Sequence, residues 1–128
     1  MLFIDRVTAF DGTTIEAETV ADPDWPLFAG HFPGRPILPG VILIEMTAQA
    51  GALIGALGDH VEPGRFLAFA GVEKAKFRQP VAPGDLVRLT VTLERQRRGY
   101  FRFSGQAHVG TTLAAETHFT ATSLDLDI

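Results

Sequence analysis

The sequence predicts an α+β fold in which a curled antiparallel sheet wraps one long buried helix, and three observations carry that prediction. One helical stretch of about 40–58 is apolar nearly all round, so it needs protein on most of its sides. Two strand-like stretches precede it and four follow it, with short turns inside each group. A single apolar helix beside a highly antiparallel sheet leaves the sheet to curl around it. At 128 residues the chain fits one domain, 1–128, with no room for a separate cofactor domain.

Residues 2–10 form a short apolar stretch interrupted by Asp5 and Arg6. Residues 13–20 alternate, with Ile15, Ala17 and Thr19 on one side and Glu16 and Glu18 on the other, which makes a strand pair about the turn Asp11-Gly12. Residues 21–40 hold five Pro and three Gly without a sustained period and read as a long loop, the kind that tends to carry function. Pro39-Gly40 introduces the helix and Gly58-Asp59 ends it. Within the helix, Gly51 and Gly55 form a small-xxx-small pattern suited to close approach to the sheet. After the turn Glu62-Pro63-Gly64 come strands at 65–77 and 86–97, the latter with Val87, Leu89, Val91 and Leu93 inward. Past Gly99, Phe101, Phe103, Gly105, Ala107 and Val109 alternate with polar residues, and a last strand covers about 112–123.

Composition narrows the function. Eleven Lys and Arg against fifteen Asp and Glu give a net charge of −4, which argues against nucleic-acid binding. The chain is 46% hydrophobic and 20% charged, so part of its apolar surface is expected between subunits. It has no Cys, hence no disulfide, thiolate nucleophile or Cys-based zinc site, and a reducing cytoplasmic setting is the expectation. The start, Met-Leu-Phe-Ile-Asp-Arg, lacks the pattern of a signal peptide. Glu45 and Gln49 interrupt the apolar run 41–57, which therefore reads as a buried helix of a soluble protein and not as a membrane span. His60, His108 and His118 read as surface residues and make no metal set. Nucleotide-binding and serine-hydrolase motifs do not occur.

The chemistry concentrates in His31-Phe32-Pro33-Gly34-Arg35-Pro36-Ile37-Leu38-Pro39-Gly40, half of it Pro or Gly, a composition that shapes a rigid loop. His31 stands at its start. At its end the first N–H groups of the helix, near Gly40 and Val41, have no intrahelical partner and can hold a developing oxyanion. Glu45 lies about one and a half turns into the helix, with Gln49 one turn further on the same face as an orienting partner. A carboxyl group in apolar surroundings tends to stay protonated, which suits a general acid. A His base, a Glu acid and polarising N–H groups are the parts for removing a proton α to a carbonyl and expelling a β-hydroxyl. The same parts could position a water for hydrolysis, His31 could be a scaffold residue, and Glu45 could be structurally satisfied.

The run Gly30 to Val41, followed by Glu45 and Ala48-Gln49, closely resembles the active-site signature of the FabZ-type (3R)-hydroxyacyl-[acyl-carrier-protein] dehydratases of type II fatty-acid synthesis. Ile4-Asp5-Arg6-Val7, Phe69-Ala70-Gly71-Val72, Lys76-Phe77-Arg78, Pro80-Val81, Pro83-Gly84-Asp85 and Arg97-Arg98-Gly99 extend the likeness over nearly the whole chain. The resemblance implies a hot-dog fold and a catalytic pair, His31 and Glu45, facing each other across a homodimer interface. It further implies substrate-binding roles for Gly40, Val41, Gln49, Phe32 and Gly71, no metal or other cofactor, and a homodimer that could build a trimer of dimers. The implied partner is an acyl carrier protein with a phosphopantetheine-linked chain; no nucleic acid and no membrane is expected. The sister isomerase-dehydratases typically carry Asp where this chain has Glu45, which favours plain dehydration. Family members usually have a further N-terminal helix, whereas this sequence opens at the first strand.

The expected reaction is removal of the α-proton of a β-hydroxyacyl thioester by His31, with protonation of the departing hydroxyl by the partner subunit's Glu45. The basic residues Lys74, Lys76, Arg78, Arg95, Arg97, Arg98 and Arg102 are candidates for docking the acidic carrier, or are ordinary solvated charges. The alternatives are a hot-dog acyl thioesterase, in which Glu45 activates water or attacks the thioester, and a non-catalytic acyl-binding subunit.

Overall fold

A computed structural model describes residues 2–30, 34 and 36–126. In chain order the elements are β1 (Arg6–Phe10), β2 (Thr14–Val20), α1 (Leu27–Gly30), α2 (Gly40–Leu57), β3 (Arg65–Phe77), β4 (Leu86–Arg97), β5 (Tyr100–Val109) and β6 (Thr112–Asp125). The six strands make one sheet in the order β1-β2-β4-β5-β6-β3, and every neighbouring pair is antiparallel.

Alternation places the core as the pattern predicts. Ile15, Ala17 and Thr19 of β2 and Val87, Leu89 and Val91 of β4 are buried, as are Phe101, Phe103 and Ala107 of β5. Ile15, Val87, Leu89, Val91, Phe101, Phe103 and Ala107 pack in the same core as Leu43, Met46, Ala50 and Ile54 on the buried face of α2. Gly51 and Gly55 let the helix sit close. A Cβ at Gly51 would lie 2.9 Å from the Phe119 ring of β6, and one at Gly55 would lie 2.5 Å from Leu67 of β3. By length and composition α2 would reach across a membrane; its seat on the sheet gives its apolar residues another place.

Three local expectations need correction. The long loop is not wholly irregular, because α1 forms one turn, with the Phe28 and Ala29 N–H groups bonded to the Trp25 and Pro26 carbonyls at 3.1 Å each. The sheet of one protomer also covers only one side of α2: Val41, Glu45, Ala52 and Ala56 remain exposed. Finally, His60 is half-buried, its ring nitrogens 3.0 Å from Gln96 Oε1 and 2.7 Å from the Gly12 carbonyl, because the β1–β2 hairpin turn meets the end of α2 there.

The sheet has unequal edges. β1 is five residues long, whereas β3 runs thirteen residues, pairs with β6 on one side, and leaves Phe66, Phe69, Val72 and Phe77 exposed.

Candidate active site

The site is organised by the start of α2. Pro39 stands at the N-cap, with φ −58° and ψ 139°, and supplies no side-chain cap. Among the described residues nothing caps the Gly40 and Val41 N–H groups, which can take a ligand oxygen. The segment leading into the helix is tied down where Leu38 donates its N–H to the Val81 carbonyl at 2.7 Å. Between that segment and the end of β3 lies a predominantly apolar cleft of about 450 Å³, walled by Ile37, Leu38, Gly40, Val41, Phe77 and Val81 among others. Such a cleft suits an aliphatic ligand with one polar end at the helix start. Gly40 lies under the exposed ring of Phe77: a Cβ there would lie 2.8 Å from Cζ of Phe77 and would push the ring tip aside.

Glu45 and Gln49 are adjacent on the uncovered side of α2. Gln49 Nε2 donates to Glu45 Oε1 at 3.2 Å, and Gln49 Oε1 accepts the Phe3 N–H at 2.8 Å. The apolar enclosure expected around Glu45 is absent within one protomer, where Glu45 is exposed. Its helix turn points away from the sheet while Leu43 and Met46 point into it. Polar company for Glu45 comes instead from the N-terminal segment, through Gln49.

Of the other predicted residues, Gly40 and Val41 lie on the cleft wall. Gly71 sits at an irregularity of β3, where its carbonyl accepts from Thr120 Oγ1 at 3.4 Å, and it is not among the cleft-lining residues. His31 and Phe32 lie outside the described residues. Among the described residues, two of the candidate docking cations form ion pairs, Arg78 with Glu116 at 2.5 Å and Arg102 with Glu73 at 2.9 Å. Hydrogen bonding from Arg78, helped by the charges of Arg78, Lys76 and Lys74, holds the Glu116 carboxyl below the ordinary glutamate value.

Phe3 is the site neighbour that sequence reasoning missed. Its contact with Gln49 joins residues 46 positions apart, and only its apolar character, suiting a buried place, was legible.

A family model described as the FabA-like domain matches residues 1–118. The chain is 44% identical over 117 residues to proteins from Klebsiella pneumoniae and Salmonella arizonae, each named 3-hydroxyacyl-[acyl-carrier-protein] dehydratase FabZ. The match covers 90% of this chain and 78% of those proteins. Among solved structures, the dehydratase heterocomplex ApeI:P from Xenorhabdus doucetiae superposes with a TM-score of 0.74 at 20% identity, covering 95% of this chain and 98% of that one. A thioesterase from Haemophilus influenzae superposes at 0.71 and 20% identity, covering 94% and 78%. These structural likenesses show the hot-dog fold, which hosts both chemistries.

Proposed function

The chain belongs to the FabZ-type 3-hydroxyacyl-[acyl-carrier-protein] dehydratases, and from that premise we propose that it converts (3R)-hydroxyacyl thioesters of acyl carrier protein to trans-2-enoyl thioesters and water in acyl-chain biosynthesis. The observation that carries this reading is the joint placement of an apolar cleft at the start of α2 and of Glu45, held by Gln49, farther along the same helix.

In this mechanism the thioester carbonyl lies at the N–H groups of Gly40 and Val41, which stabilise enolate character as His31 takes the α-proton. Glu45 of a second subunit gives its proton to the β-hydroxyl, which leaves as water. The products balance without an electron acceptor, so no redox cofactor is required. Phe32, Gly71 and Gln49 complete the substrate surroundings in this reading.

A homodimer follows from what one protomer leaves uncovered. The exposed Phe66, Phe69 and Val72 of edge strand β3 and the bare face of α2 form an apolar surface that a second copy would bury. Covering that face would also give Glu45 the enclosure it lacks. A cytoplasmic setting and a carrier protein docked on the basic residues, Lys74 and Lys76 foremost, belong to the same proposal.

The test is direct. His31→Ala and Glu45→Ala are each expected to lower enoyl formation from a hydroxybutyryl carrier thioester by at least about a hundredfold, with the dimer intact. Mass spectrometry of the carrier-bound product decides the outcome. Near-wild-type turnover would overturn the residue assignment, and release of free carrier thiol without enoyl product would favour thioester hydrolysis.

A further inference from the structure

The contact between Phe3 and Gln49 has a chemical consequence. A backbone N–H can only donate, so the amide atom 2.8 Å from it is the oxygen, and the donor end is the one that faces Glu45. If the amide were turned over, its oxygen would face Glu45, and a protonated carboxyl would hydrogen-bond to it through its own O–H. The acidic proton would then be held by Gln49. With Nε2 in that place, Glu45 Oε1 is an acceptor, and the proton of the acid belongs on Oε2.

We infer that the backbone N–H of Phe3 is a polarity lock on the active site, turning the Gln49 amide so that its N–H faces Glu45 Oε1, which leaves the acidic proton on Oε2 and eases its release to the departing hydroxyl. This rests on the dehydratase reading of Glu45 and adds a positioning role for the N-terminal segment. Phe3 is a positioning residue, acting through Gln49.

The segment is built to hold that N–H still. The Phe3 side chain is 4% exposed and meets Trp25 edge-on, with centroids 5.2 Å apart at 74°. Trp25 in turn stacks on Phe28 at 6.2 Å and 5°. Two residues on, the Asp5 N–H donates to the Glu18 carbonyl at 3.0 Å, and Asp5 Oδ2 accepts the Val20 N–H at 2.8 Å. An aromatic anchor and a strand-edge clamp thus flank the locking N–H. Phe28 lies in α1, so the aromatic anchor ties the N-terminal segment to that helical turn.

The experiment deletes one atom group. Phenyllactic acid incorporated at position 3 by nonsense suppression replaces the amide of Phe3 by an ester, removing the N–H and keeping the ring. In the full-length protein, kcat with a hydroxybutyryl carrier thioester is expected to fall about tenfold with KM unchanged, the effect of one well-placed hydrogen bond. In a Gln49→Met background, which has no amide to turn over, the same ester is expected to cost nothing further. Wild-type kcat in the ester protein would overturn the lock. An equal loss in both backgrounds would also overturn it, by showing a merely structural role for the N–H. Failure of the underlying reading looks different, since Glu45→Gln would then leave enoyl formation undiminished whatever the state of Phe3.

Discussion

A single methyl group measures how tightly the helix start is built. The tip of the Phe77 ring lies so close to Gly40 that the substitution Gly40→Ala must move it, but the ring is exposed and can swing aside, so the expected cost stays within about 0.5 kcal/mol. Urea denaturation of Gly40→Ala should therefore give a midpoint close to that of the unchanged chain; a large loss would show that the Phe77 ring is held in place. Charge at single residues is equally readable. Arg78 keeps the Glu116 carboxyl below its ordinary value near 4.5, so the pair stabilises the fold above that pH and the contribution fades as pH falls through the depressed value. In an NMR titration the Glu116 midpoint should move upward in Arg78→Ala. No displacement would mean that the ion pair does not persist in solution.

At the scale of elements, β6 joins the helix to the long edge strand. Phe119 stacks on Phe103 of β5 at 5.0 Å and on Phe69 of β3 at 6.1 Å, and its ring also lies against Gly51 of α2. Removing a ring that serves three elements is expected to cost about 3–5 kcal/mol, so Phe119→Ala should lower the urea midpoint far more than Phe66→Ala at the exposed edge. A polar tie runs beside it: Thr117 Oγ1 donates to Thr47 Oγ1 at 3.1 Å, and Thr47 Oγ1 donates to the Ile44 carbonyl at 2.8 Å. This chain of hydroxyls satisfies buried oxygens between sheet and helix.

The whole molecule is defined by what one protomer leaves open. If a second copy covers β3 and the bare face of α2, carboxylates placed at Phe69 and Val72 should prevent association. Phe69→Glu/Val72→Glu is expected to sediment as a monomer, retain its far-UV circular dichroism, and lose dehydratase turnover together with the dimer. A monomer with full activity would show that each site is complete within one chain.

Alternation and helical periodicity located the strands and α2 to within a few residues, because which side chains face inward is a local property of the backbone. The Pro/Gly block marked the approach to the helix start for the same reason, since φ restrictions act on neighbours in the chain. The turn of α1 escaped notice because four residues are too few to show a period. Three features belong to tertiary structure alone: β3 next to β6, the uncovered side of α2, and the N–H of Phe3 set against Gln49. Each depends on how far the sheet curls and on which distant segments it brings together. The residue types for dehydration were legible along the chain, whereas the direction of the Gln49 amide beside Glu45 was decided only when the N-terminal segment folded against the helix.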